Sequence, residues 1–316
     1  MAAVRTDNLS KEFNGMQAVC RLNLEVQPGE IFGLVGPDGA GKTTIMRLLT
    51  SIMEPSSGDA WVQGLHSVRD AEAIKEKIGY MSQRFGLYAD LTVQENVDFY
   101  ADIYGVPRRG REKTIDELLS FSALTPFKKR FAGNLSGGMK QKLGLACALI
   151  HTPEVLFLDE PTNGVDPVSR RDFWRVLYQL RQKGVTIVVS TAYLDEAERC
   201  SRLGLLHQGN LLSVGSPREI KSLMKGQLLV VRSSHPREAA QLLKEVLREE
   251  HITLFGDRIH VITDAPESSR TSITHTLSGS AYTLHSISDQ EPSLEDVFVS
   301  MLGTTEKERS HEIVSS

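Results

Sequence analysis

Gly36-Pro-Asp-Gly-Ala-Gly-Lys-Thr43 follows the apolar run Ile31, Phe32, Gly33, Leu34 and Val35 and precedes the helix-like stretch Thr44 to Thr50. Strand, glycine-rich turn and helix in that order make a phosphate-binding loop. Gly36, Gly39 and Gly41, with Pro37, Asp38 and Ala40 between them, let backbone N–H groups turn toward phosphate oxygens. Lys42 brings charge to the terminal phosphates, and the Thr43 hydroxyl can ligate Mg²⁺. The helix from Thr44 points its positive end at the same anion. A nucleotide site inside an α/β domain is the expectation.

The bulk properties agree with that and remove other classes. A chain of 316 residues buries a substantial core and is expected to hold one large domain and a smaller one. A formal charge of -4 and a pI near 6.2 argue against an extended nucleic-acid-binding surface, so no nucleic-acid partner is expected. The opening Met-Ala-Ala-Val-Arg-Thr-Asp has no apolar signal core, and no uncharged apolar run reaches the length of a membrane span. The expected location is the cytosol, unless a partner recruits the chain to a membrane. Cys20, Cys147 and Cys200 are too far apart for a metal or redox spacing and read as reduced, small side chains.

Ile31 to Val35, Val155 to Leu158, Val185 to Ser190 and Leu203 to His207 are short apolar strands alternating with helical stretches, which predicts helices on a mostly parallel sheet. Thr92 to Tyr104 and Arg111 to Phe121 carry apolar residues at helical spacing, a helical subdomain spanning about residues 84–150. A second unit begins near Pro217. Leu228 to Arg232, Ile252 to Phe255, Arg258 to Thr263 and Tyr282 to Ile287 read as strands, with helices over Arg237 to Glu249 and Ser268 to Leu277. That β-α-β-β-α-β order suits a small ferredoxin-like α+β domain. The expected division is 1–220, 221–303 and a flexible tail at 304–316.

Val155-Leu-Phe-Leu-Asp159-Glu160 is an apolar strand ending in two acids. Placed beside the phosphate loop, Asp159 would hold Mg²⁺ and Glu160 would orient or deprotonate the attacking water. Leu135-Ser136-Gly137-Gly138-Met139 opens a second helix N-terminus able to meet an anion. One site does not readily use two such termini, so the second is expected to face another molecule's nucleotide. On these motifs, in this order, the first 220 or so residues resemble the ATP-binding cassette (ABC) family. That resemblance implies two cassettes sandwiching two ATPs, each ATP held by one subunit's phosphate loop and the other's Leu135 to Met139 segment. It also implies that Phe13 stacks on adenine, that Gln83 senses Mg²⁺ and the attacking water, and that Asn163 and Asp166 sit in the loop crossing the dimer interface. Two plainer readings stay open: Phe13 as a buried strand residue and Asp166 as the cap of a helix from Ser169 to Leu180.

Two positions depart from the family pattern. In Ser190-Thr-Ala-Tyr-Leu-Asp-Glu-Ala-Glu198, Ala192 stands where a histidine contacting the γ-phosphate is expected. A methyl group donates no hydrogen bond, and losing one such donor costs on the order of a hundredfold in rate. Asp38 puts a carboxylate near phosphate where asparagine or serine is commoner. The C-terminal Glu291-Pro-Ser-Leu-Glu-Asp-Val-Phe-Val299 and the Gln83 to Tyr88 run look like ATPases of type-2 exporters, most specifically the first cassette of tandem multidrug-efflux ATPases. The resemblance thus implies ATP-driven efflux of drug- or lipid-like substrates through a separate permease, at the cytoplasmic face of the inner membrane. A regulatory cassette with slow turnover and a non-transport cytosolic ATPase are the alternatives.

Overall fold

The computed structural model describes residues 1–84, 86–247 and 251–302, and the side chain of His251 is not among them. The tail expected at 304–316 lies outside the described residues. The chain divides into two compact units, one of Met1–Pro217 and one beginning at Arg218.

In the first unit, β1 (Val4–Phe13) and β2 (Met16–Val26) form a long antiparallel pair, followed by β3 (Ile31–Val35) and α1 (Lys42–Leu49). Next come β4 (Ser57–Val62), β5 (Leu65–His66), α2 (Ala71–Lys77) and β6 (Ile78–Met81). Helices α3 (Val93–Ile103), α4 (Arg111–Phe121) and α5 (Gly137–Leu149) precede β7 (Val155–Asp159) and α6 (Pro167–Gln182). The unit continues through β8 (Thr186–Thr191), α7 (Leu194–Ala197), β9 (Arg202–His207) and β10 (Asn210–Gly215), and α8 (Pro217–Lys221) follows.

The central sheet has the order β10-β9-β3-β8-β7-β6, parallel throughout except for the antiparallel edge strand β10. Its middle strands are apolar on both faces because both faces are covered. Phe32, Leu34, Phe157 and Val188 enter one core with Leu22 and Ile45, whereas Ile31, Leu156, Leu158, Ile187 and Val189 enter a second with Phe173, Trp174 and Leu177. Alternate residues of β3, β7 and β8 thus serve opposite cores, as a period of two demands. The first core is roofed by an antiparallel sheet of order β2-β1-β4-β5, an element not foreseen from the sequence. A third core holds the helical region. Val93, Val97 and Ala101, spaced by four along α3, meet Ile115 and Leu119 of α4 and Leu143 and Ala146 of α5. Helix α3 begins at a complete capping box between Thr92 and Glu95.

The second unit contains β11 (Gln227–Ser233), α9 (Pro236–Val246), β12 (His251–Phe255), β13 (Arg258–Thr263), α10 (Pro266–Ser278) and β14 (Leu284–Gln290). The sheet order is β12-β13-β11-β14, every neighbour antiparallel, with α9 and α10 packed on it through Ala239, Leu243, Ile273 and Leu277. This is the ferredoxin-like arrangement. The helix expected over Arg237 to Glu249 runs instead over Pro236–Val246, and residues 248–250 lie outside the described set. The last strand starts at Leu284 rather than Tyr282, whose ring packs against this unit's core.

Candidate nucleotide site

Parallel pairing of β3, β8 and β7 lines up their carboxyl ends. Val35 pairs with Thr191, and Asp159 pairs with Ser190. Ligands of open α/β sheets lie outside such ends. The phosphate loop leaves β3 there, tied back by the Gly36 N–H donating to the Thr191 carbonyl at 3.3 Å. Gly41 takes φ of +99°, and a Cβ on it would sit 2.4 Å from the Ala18 carbonyl oxygen of β2. Only glycine satisfies both the backbone angle and that approach.

Lys42 is buried and donates to the carbonyls of Gly36 at 2.8 Å and Pro37 at 3.0 Å, while its Nζ lies 3.1 Å from Glu160 Oε1. Glu160 occupies the left-handed region at φ +48°, a conformation that costs a residue with a Cβ on the order of 1–2 kcal/mol and that collects at functional sites. Its other oxygen, Oε2, accepts from Gln83 Nε2 at 2.8 Å and Asn163 Nδ2 at 3.3 Å. Three residues, from the start of α1, the segment after β6 and the turn after β7, thus meet on the one Glu160 carboxylate.

Asp159, just before it, is almost wholly buried. Its Oδ1 accepts from Ser190 Oγ at 2.6 Å and Thr43 Oγ1 at 3.2 Å, and Oδ2 is buried with no partner among the described residues. An orphaned buried carboxylate oxygen beside a hydroxyl is what a hard cation satisfies. No cluster of three or more His, Cys, Asp and Glu able to hold a metal occurs among the described residues. Mg²⁺ commonly keeps waters and phosphate oxygens around one or two protein ligands, so Thr43 and Asp159 fit it without such a cluster.

Asp38, Gly39, Ala40, Gly41, Lys42, Thr43 and Thr44 share one open depression with Gln83, Glu160 and Asn163. Phe13 and the Leu135 to Met139 segment are not among the residues lining it. Phe13 is 43% exposed at the β1–β2 turn, with Lys11 Nζ 5.3 Å from its ring centre, so it is not a buried strand residue. In the second glycine pair, Leu135 belongs to the helical core, and Ser136 caps α5 through the Met139 N–H at 3.4 Å. Ser136 and Gly137 are exposed, whereas Gly138 is buried where a Cβ would fall 2.5 Å from Ser169 Cβ. The glycines therefore divide the work: Gly137 is exposed, with only the Gly164 carbonyl oxygen 4.0 Å from where a Cβ would sit, and Gly138 admits α6. Asp166 is indeed a cap, its Oδ1 accepting from the N–H groups of Val168 and Ser169. The Ser169 hydroxyl, then the Ser169 backbone N–H, hold its carboxyl below the usual range.

Sequence reasoning gave Ser190 no role of its own, although it braces both acids: its Oγ donates to Asp159 and accepts from the Glu160 N–H at 2.9 Å. Nor did it find the buried network around Glu196, whose oxygens accept from the hydroxyls of Thr162 and Thr191. Ser190 and Thr191 closing an apolar strand, with Glu196 five residues further on, were the signal available for both.

A model of the ABC transporter family matches residues 19–163, and a model of the C-terminal domain of DrrA1-3-like ATP-binding proteins matches residues 215–302. The chain is 33% identical over 305 residues to Nod factor export ATP-binding protein I of Rhizobium etli, covering 96% of this chain and 94% of that one. The chain belongs to the ABC transporter family. It is 41% identical over 307 residues to the probable multidrug ABC transporter ATP-binding protein YbhF of Escherichia coli, covering 96% of this cassette chain but only 52% of YbhF. The cassette thus spans about half the length of that relative. Among solved structures it is similar to an ATP-binding cassette captured as a dimer in a post-hydrolysis state with ADP and Pi bound. That match has a TM-score of 0.62 and 26% identity, over 67% of this chain and 98% of the other.

Proposed function

We propose that the chain is the ATP-binding and ATP-hydrolysing subunit of an exporter, driving efflux of drug- or lipid-like substrates through a separate membrane permease. The observation that carries this reading is the meeting of Lys42, Gln83, Asn163 and Glu160 beside the orphaned Asp159 oxygen. Mg²⁺, when bound, offsets phosphate charge and polarises the γ-phosphoryl group. The chain's own residues do the rest. The N–H groups at the start of α1 and Lys42 receive the phosphates, Thr43 and Asp159 hold the cation, and Glu160 takes the proton of a water oriented with Gln83. Phe13 stacks on the base.

No helix among the described residues is long and apolar enough to cross a membrane. A route through a bilayer therefore belongs to another subunit in this reading, and the cassette docks on it from the cytoplasmic face. Ser136 and Gly137, exposed and away from the chain's own depression, support closure against a second cassette. That cassette is a further copy, a different subunit or a fused half, the last suggested by YbhF being nearly twice the matched length. Residues 221–303 form an accessory domain of the same subunit.

The deciding experiment uses Glu160→Gln, which keeps shape and removes the base. With ATP and Mg²⁺ it is expected to form a stable closed dimer by light scattering, with hydrolysis reduced at least about a hundredfold. Wild-type turnover in this variant would remove Glu160 from the mechanism. A regulatory cassette with slow turnover is the second reading, favoured by the exposed Ala192 beside the same site.

A further inference from the structure

Ala192 leaves space beside Glu160, and the neighbouring residue supplies the polar edge of that space. A cavity of about 200 Å³ is bordered by Asp38, Glu160, Thr162, Asn163, Ala192 and Tyr193. Tyr193 Oη lies 3.5 Å from Asn163 Oδ1, and the Asn163 amide donates from its nitrogen to Glu160 Oε2 at 3.3 Å. A primary amide fits its slot either way round, and only its hydrogen-bond partners settle which end faces which group. A phenol donating to Oδ1 keeps the NH₂ group toward the carboxylate. The opposite orientation would set the amide oxygen against a carboxylate oxygen.

The phenol is itself aimed from two elements. The Arg170 guanidinium, on α6, lies 4.4 Å from the Tyr193 ring centre. Arg170 Nε is in turn 3.4 Å from Oε1 of the fully buried Glu196. From β8, the Thr191 hydroxyl accepts the Tyr193 N–H at 3.0 Å and donates to Glu196 Oε2 at 2.9 Å. Ring stacking and backbone anchoring together limit where the hydroxyl points.

We infer that Tyr193 is a positioning residue for hydrolysis: through the Asn163 amide it holds Glu160 Oε2 in place once Lys42 turns from Glu160 to phosphate. The inference rests on the reading of Glu160 as the base. Of the donors on that carboxylate, Lys42 is the one that phosphate competes for. Gln83 and Asn163 then carry the orientation alone, and Tyr193 decides whether Asn163 does so.

Steady-state ATPase of the full chain tests it. Tyr193→Phe keeps the ring over Arg170 and removes only the hydroxyl. Its kcat is expected to fall about tenfold with KM for ATP within about twofold of wild type, the size of one net hydrogen bond. Asn163→Ala should fall at least as far, and the double variant no further than Asn163→Ala, because the phenol acts only through that amide. An unchanged kcat in Tyr193→Phe, a change confined to KM, or additive losses would overturn the role. Should Tyr193→Phe not fold, Asn163→Asp reads the same link, since its ionised carboxylate cannot donate to Glu160, and wild-type kcat there is equally fatal. Glu160→Gln, assayed alongside, separates the two claims. Wild-type turnover in it defeats the base assignment, whereas loss there with normal Tyr193→Phe turnover defeats the positioning role alone.

Discussion

Ala192 is exposed and borders the cavity beside Glu160. An imidazole built there would border the cavity that Asp38, Glu160 and Asn163 line, beside the phosphate loop. Ala192→His is therefore expected to raise kcat tenfold or more, at nearly constant KM, by adding a donor used only as charge develops. Equal turnover in the two proteins would show that position 192 does not limit the rate. The residues of this site were legible where a motif fixes chemistry by spacing: Lys42, Thr43, Asp159 and Glu160 lie in short contiguous runs, and sheet topology then joins them. Phe13 and Asp166 each had two readings, because exposure and capping are properties of a folded turn and not of residue type. Asp38 shares the depression and is exposed, and the structure does not explain why a carboxylate stands there.

At the scale of elements, α5 and α6 pack more closely than their sequences suggest. Gly138 lets the first turn of α5 press on Ser169, with no room for even a methyl group. Gly138→Ala should lower stability by about 1–3 kcal/mol, and a second change, Ser169→Gly, should recover part of that loss by removing the opposing Cβ. Thermal denaturation of the two single variants and the double variant checks the compensation; simple additivity would mean that the glycine is not needed for this contact. The strands of the central sheet were readable because both faces are buried, leaving unbroken apolar runs such as Val155 to Leu158. The sheet of β1, β2, β4 and β5 was not. Val4-Arg-Thr-Asp-Asn-Leu-Ser-Lys-Glu-Phe13 buries only one face and breaks register between Thr6 and Leu9, so its apolar residues lose a clean alternation.

At the scale of the whole chain, the second unit carries its own fastening for the Glu291 to Val299 motif. Asp296, buried, accepts from Ser293 N–H and Oγ through Oδ2 and pairs with His260 Nδ1 of β13 at 2.6 Å through Oδ1. Burial works to raise its pKa, but the hydrogen bonds from His260 and Ser293 outweigh burial and hold the carboxyl below the usual range. A depressed folded pKa contributes stability that is present above the unfolded value, near 4, and is lost as pH falls through the folded value. Protection from hydrogen exchange over residues 294–302, helical in the structure and corrected for the intrinsic exchange rate at each pH, should therefore be high at pH 7 and fall below about pH 4, while Asp296→Asn should be less protected at pH 7 and lose most of that acid response. The same protection in both proteins at pH 7 would show that the clasp does not hold residues 294–302. This contact was invisible in the sequence because 36 positions separate its partners.

The contact between β2 and the phosphate loop also sets a scale for what the site accepts. Strand β2 meets the phosphate loop at Ala18, against Gly41, and is pinned by the Cys20 N–H to the Gly209 carbonyl at 2.8 Å, while the Phe13 turn opens the same strand pair. In the proposed reading, this edge acts as a ruler between the base and the phosphates. A slip of two residues would return every side chain to its own face, yet move the stacking ring about 7 Å along the strand. The ruler is calibrated by backbone hydrogen bonds, so changes to the side chains of Met16 or Gln17 should leave its length untouched.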